Sequence, residues 1–185
     1  MNHIDLSSVL RQTVACDLYS NLVTRPTGAA VRDEIERLLS DTHDRTLTVI
    51  DFSQVSMIDF SCADEVIAKL LLRYAADDSP YDAYFLFRGV TEEHWEAIEA
   101  VLERRGLALV LEQADGVRVV GQLPDDERSV WEAVQRLGPA TGGELAEALS
   151  TEPRLVQRAL HGLRQRRLVM QIGEDYIVVG AHRGG

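Results

Sequence analysis

Four side chains that could do chemistry crowd one stretch of this chain: Asp59, Ser61, Asp64 and Glu65, within TLTVIDFSQVSMIDFSCADEVIAKLLLRY from Thr46 to Tyr74. A helix opening there presents unpaired backbone N–H groups and the positive end of its dipole, so a serine can cap it or carry a phosphate. Ser61 and Asp64 have capping-box spacing, with the hydroxyl toward the N3 amide and the carboxylate back toward the cap amide, and that geometry alone accounts for both residues. A phosphate on Ser61 would gain from the dipole yet meet Asp59, Asp64 and Glu65, so modification there would repel as much as order and would work as a release switch.

Catalysis finds little support in the remaining polar residues. Asp51 and Asp59 read as a strand-end acid and a loop-end acid bonding local amides, not as a catalytic pair. His3, His43 and His182 fall in segments read as loops or termini, and His94 and His161 lie on helices without an i, i+4 ligand partner. Cys16 and Cys62 form neither a disulfide framework nor a metal spacing. No enzyme, cofactor or metal site is therefore expected. Thr24-Arg25-Pro26-Thr27-Gly28 precedes a helix and offers amides plus Arg25 to an anion or partner, or else forms a turn whose arginine pairs with a carboxylate such as Asp51. It lacks the Gly-Lys-Ser/Thr ending of a phosphate-binding loop.

The elements that position these residues follow from hydrophobic period. Leu18 to Val23 suggests a first strand, and Thr27 to Leu39 a helix with Val31, Ile35, Leu38 and Leu39 on one stripe, before a polar turn from Asp41 to Arg45. Leu47 to Phe52 predicts a buried strand, followed by a helix carrying Ala63, Val66, Ile67, Leu70, Leu71 and Tyr74 inward. Ala83 to Phe87 is apolar throughout, as a strand covered on both faces should be. Thr91 caps a helix with Trp95, Ile98, Val101 and Leu102 inward, Gly106 ends it, and Leu107–Leu111 and Gly116–Gln122 give two more strands. This alternation predicts a parallel or mixed sheet covered by helices over 1–122.

Beyond Leu123-Pro124-Asp125-Asp126 the pattern becomes closely spaced helices. Val130, Trp131, Val134 and Leu137 mark the first, Thr141 to Leu149 the second, and Leu155, Val156, Ala159, Leu160 and Leu163 the inward stripe of a third from Pro153 to Arg166. Leu168–Ile172 and Tyr176–Val179 then flank a Gly173-Glu174-Asp175 turn. On the third helix Arg154, Gln157, Arg158, His161, Arg164 and Gln165 point outward, a composition suited to phosphates and base edges, and Arg166 and Arg167 extend it. The acidic turn favours protein contact or dimerisation instead.

The net charge of −11 is unevenly spread: 21 acidic and 11 basic residues lie up to Pro124, against 9 and 8 from Asp125 onward. An acidic first part argues against broad contact with a phosphate backbone there, while the near-neutral second part can still carry a basic face. With no apolar run near about 18 residues and no signal-peptide pattern in Met1 to Leu18, no membrane association and a cytoplasmic location are expected.

SVWEAVQRLGPATGGELAEALSTEPRLVQRALHGLRQRRLV, within Asp125–Val179, resembles a winged helix-turn-helix domain of bacterial transcription regulators. VTRPTGAAVRDEIERLL with TVIDFSQVSMIDFSCADEVIAKLL resembles the STAS-like domain of bacterial signalling proteins, related to anti-sigma-factor antagonists, over about residues 18–122. Those antagonists carry Asp-Ser-Ser-Gly, whose second serine a partner kinase phosphorylates. Asp59-Phe60-Ser61-Cys62 places Ser61 on that position, with Phe60 and Cys62 replacing serine and glycine, and Ala63-Asp64-Glu65 is closer to the STAS-like branch. The resemblance implies an α/β (α+β) protein: a STAS-like domain over 1–122 and a winged helix over 125–180. Its implied function is transcription regulation, with the first domain controlling a winged helix that binds duplex DNA as a homodimer. The alternative is an adaptor of the antagonist type that binds a kinase or other regulatory protein through the Ser61 region and never meets DNA.

Overall fold

The protein is described from a computed structural model, covering residues 2–5, 21–40, 45–75 and 82–181. Among the described residues five strands form the main sheet: β1 (Asn2–Asp5), β3 (Thr46–Asp51), β5 (Ala83–Arg88), β6 (Ala108–Gln113) and β7 (Gly116–Gly121), in that spatial order. All neighbours run parallel except β7, which turns back antiparallel on β6. A second, two-stranded parallel pairing joins β2 (Asn21–Leu22) to β4 (Met57–Ile58). The chain is thus a mixed α/β protein with a mostly parallel sheet, as the alternating periodicity predicts. Of the first strand expected from Leu18 to Val23, only Asn21–Leu22 is strand, residues 18–20 lying outside the described residues; so do most of the expected polar turn (41–44), Cys16, and His43 and His182.

Alternate residues of each strand face opposite sides, and the two sides are covered by different parts of the chain. On one side Ile50, Phe85, Phe87, Leu109, Leu111 and Val120 meet α1 (Arg25–Ser40), α2 (60–75) and α3 (Glu92–Arg105). On the other, Val49, Tyr84, Leu86, Ala108, Val110 and Val119 are continuous with the core of the C-terminal segment. That segment comprises α4 (Asp125–Leu137), β8 (Ala140–Thr141), α5 (Gly142–Leu149), α6 (Pro153–Gln165), β9 (Val169–Ile172) and β10 (Asp175–Val178), its small sheet ordered β8-β10-β9. The chain changes from sheet to helices at Leu123-Pro124, yet one hydrophobic core spans both segments. The continuous apolarity of Ala83–Phe87 has its cause here: helices bury one face and the C-terminal segment buries the other.

Arginines tie the two segments together. Arg167, which adopts a left-handed backbone at φ 60°, donates from Nε to the Tyr74 carbonyl at 2.9 Å and from Nη1 to Asp82 at 2.7 Å, and lies over the Tyr84 ring. Arg45 pairs with the same Asp82 and donates to the Gln171 carbonyl in β9 at 2.8 Å. Arg166 lies 2.9 Å from Glu127 and reaches the Gly106 carbonyl at 3.4 Å. Arg166 and Arg167 therefore do not extend the outward basic face of α6: Arg167 is taken up by Tyr74, Asp82 and Tyr84, and Arg166 turns to Glu127 of α4 and the Gly106 carbonyl. Leu137 and Leu155 also depart from expectation: they are 47% and 43% exposed rather than inward. Leu155 sits one residue, about 100° of helical turn, from the buried row Val156, Ala159, Leu160 and Leu163, and Leu137 is the last residue of its helix.

Candidate functional site

The strand-to-helix junction is built around α2, which opens as an α-helix at Phe60–Ala63, widens to a π-helix over Asp64–Lys69 and closes as an α-helix at Leu70–Ala75. π-Turns are rare and concentrate at functional positions. Here every residue from Cys62 to Ala68 is buried, including Asp64 and Glu65, each 2% exposed.

Asp59 is the N-cap of α2, in place of the Ser61 expected from the capping-box spacing. Its extended backbone, φ −90° and ψ 167°, lets its carboxylate accept from the Cys62 amide at 2.7 Å, and the Ser61 hydroxyl donates to the same oxygen at 2.8 Å. Ser61 lies inside the first turn, half-buried, as a donor to the cap. The other Asp59 oxygen accepts from the Thr24 amide at 3.0 Å and so holds Thr24 at φ 75°, a left-handed conformation rare for a β-branched residue. Burial by itself would raise the Asp59 carboxyl. The Thr24 and Cys62 amides and the Ser61 hydroxyl outweigh it and hold the group below the usual carboxylate range.

Asp64 does not reach back to the helix start. It accepts two hydrogen bonds from Arg105 at the end of α3, from Nε at 2.9 Å and Nη2 at 3.1 Å, and one from Arg25 Nη1 at 3.0 Å. Arg25 Nη1 also donates to Glu65 at 2.6 Å, and Arg32 and Lys69 pair with Glu65. Arg25 thus binds this buried acidic pair instead of Asp51, whose carboxylate takes Ser53 and Arg88. For both Asp64 and Glu65 burial pushes the carboxyl up, and the surrounding cations, Arg25 and Arg105 for one, Lys69, Arg25 and Arg32 for the other, bring it below its ordinary value.

Backbone proximity makes this contact between α1 and α2 attainable. A Cβ on Gly28 would fall 2.8 Å from Cys62 Cα and 3.0 Å from Glu65 Cβ, so only glycine lets the first turn of α1 lie against α2 and swing Arg25 over the acids. Cys62 is sealed in the same contact, with its thiol 2.8 Å from the Thr24 carbonyl. Burial, reinforced by Asp59, pushes that thiol up to about 12.

All five residues singled out at this end, Arg25, Asp59, Ser61, Asp64 and Glu65, therefore converge. The sequence reading missed Arg32, Lys69 and Arg105. Lys69 was legible as the i+4 partner of Glu65; Arg105, 41 residues from Asp64, left no local signal. Phe60 lies beneath the Arg104 guanidinium at 5.5 Å.

In the C-terminal segment, α6 buries Val156, Ala159, Leu160 and Leu163 and exposes Arg154, Gln157, Arg158, His161 and Arg164. Arg158 lies 3.5 Å from Asp126, a distant pair of exposed side chains worth little. Gln157 lies 3.5 Å from the Tyr176 hydroxyl. Arg154 and Arg164 have no carboxylate partner among the described residues. The hairpin turn between β9 and β10 exposes Glu174.

No protein-family model matches the chain, and no curated protein matches it. Among the described residues no helix is long and apolar enough to cross a membrane.

Proposed function

We propose that the chain is a bacterial regulatory protein in which a STAS-like module governs a winged helix, residues 125–180, that binds duplex DNA through α6. The observation that carries this reading is the exposed face of α6. In the acidic first part most arginines are answered by carboxylates, including Arg25, Arg32, Arg37, Arg45, Arg73, Arg88 and Arg105. Arg154 and Arg164 instead face outward beside Gln157, Arg158 and His161, a mixture that suits phosphate positioning and base-edge contact. Two half-sites and a homodimer would be the usual geometry for such a reader. The protein is read as cytoplasmic, with no catalytic activity and no cofactor.

The test is duplex binding as a function of salt. Affinity should fall linearly on a log–log plot, and Arg154→Ala with Arg158→Ala should flatten the slope by about two ionic contacts. No detectable binding at low salt would remove the reading.

The second reading, an adaptor of the antagonist type without DNA binding, draws on the exposed Glu174, on the exposed Leu155 of α6, and on the diversion of Arg166 to Glu127 and of Arg167 to Asp82. In that case a kinase-like or sigma-related protein binds near Ser61, and Ser61→Asp should alter its recovery in a pull-down. Recovery unchanged by Ser61→Asp would sink the switch.

A further inference from the structure

A cleft of about 470 Å³ lies between the two segments, where the end of α2 and the α3–β6 turn face α4 and α6. Leu71, Leu72 and Leu107 form an apolar wall; Arg105, Glu127 and Arg166 supply polar groups. Its size falls within the range of small-molecule sites, which pair an apolar lining with a few convergent polar groups.

Glu127 is the informative residue. Its Oε2 is closed to solvent and accepts no hydrogen bond among the described residues, for Arg166 Nε, 2.9 Å away, supplies charge without the alignment of a hydrogen bond. Buried polar atoms are rarely left so. The chain also makes room for this carboxylate: a Cβ on Gly162 would fall 2.3 Å from Glu127 Oε1, which explains a glycine in the interior of α6, where glycine is disfavoured. Two guanidinium groups hold donors in reserve. Arg105 gives Nε and Nη2 to Asp64, and Arg166 uses Nη1 on the Gly106 carbonyl, so Arg105 Nη1 and Arg166 Nη2 have no partner among the described residues.

We infer that this cleft binds a small aliphatic carboxylate bearing a hydrogen-bond donor, of the amino-acid or hydroxy-acid type. The carboxylate faces Arg105 and Arg166, the donor pairs with the Glu127 carboxylate that lines the cleft, and the aliphatic body lies on Leu71, Leu72 and Leu107. Because Arg105 also holds Asp64, and Gly162 and Arg166 belong to α6 and its C-terminal end, the ligand would bridge the acidic site and the exposed helix. That effector role rests on the regulatory reading above; the binding does not.

The test uses calorimetric titration of the full chain, without DNA, with three probes sharing one aliphatic body: L-leucine, 2-hydroxy-4-methylpentanoate and 4-methylpentanoate. We expect saturable binding of at least one donor-bearing probe, about tenfold or more tighter than 4-methylpentanoate. Leu72→Glu, at a position 44% exposed and so tolerated by the fold, should abolish it. The inference is overturned if no probe saturates, if 4-methylpentanoate binds as tightly as the others, or if Leu72→Glu leaves binding unchanged. Duplex binding is measured separately, so a chain that takes the probe but no DNA supports the cleft and removes only the DNA reading.

Discussion

At Glu65 a single carboxylate, 2% exposed, answers Arg25, Arg32 and Lys69. Glu65→Ala should cost about 2 kcal/mol by urea unfolding, below the usual penalty for breaking a buried pair, because the three cations are partly exposed and can rehydrate. The pH dependence has a definite sign. Asp59, Asp64 and Glu65 are held below their unfolded values, so their stabilisation is complete above the ordinary carboxylate range and is lost as pH falls through their depressed folded values. Glu127 acts the opposite way, since burial raises its carboxyl against the pull of Arg166, and its unfavourable contribution fades in acid. Three groups outweigh one, so the urea midpoint should drop between about pH 6 and about pH 3, and drop less in Glu65→Gln. A midpoint flat across that window would show that these pairs contribute nothing to folding.

Among the elements, the contact of α1 with α2 is the most sensitive to a single atom. Alanine is a better helix former than glycine by about 1 kcal/mol, so Gly28→Ala would stabilise an ordinary helix. Here the added methyl meets Cys62 Cα, and the overpacking cost of about 1–3 kcal/mol should prevail. The variant should melt lower than the parent. Its Cys62 thiol, protonated and sealed in the parent, should become titratable by a thiol reagent under native conditions; a melting temperature at or above the parent's would refute the close contact. The strands and helices around this contact were legible because Ala83–Phe87 is apolar throughout, as a strand buried on both faces is, while Ile98–Leu102 buries one face at the helical period. The junction chemistry was legible as a set of residue types, but its wiring was not. A carboxylate at Asp59 outcompetes the Ser61 hydroxyl for the cap because it can also hold Thr24, which lies 35 residues upstream, and the partners of Asp64 come from α1 and α3. Local spacing carries no information about such pairs. Likewise Arg166 and Arg167 look like a continuation of a basic helix until their distant partners, Glu127 for one and Asp82 for the other, are known.

For the whole molecule, the shared core changes how any signal could pass from one segment to the other. Releasing the C-terminal segment would expose Val49, Tyr84, Leu86, Ala108, Val110 and Val119 together, and would break the Arg167 contacts to Tyr74 and Asp82. Exposed apolar patches of that kind are costly, so a signal at the acidic site would act through small shifts within a docked body, not through undocking. The two tryptophans provide the test, since Trp95 packs on the helical side of the sheet and Trp131 in the C-terminal core. With Trp131→Phe the fluorescence reports the first segment, and with Trp95→Phe the second. Once each variant is referenced to its own circular-dichroism melt, fluorescence and backbone signals should coincide, as one cooperative unit requires. Arg167→Ala should lower both midpoints together, because the socket it vacates belongs to the sheet while the arginine belongs to the segment that follows. If instead Trp131 loses its environment while Trp95 keeps its own, the segments unfold separately, and the shared core does not bind them into one cooperative unit.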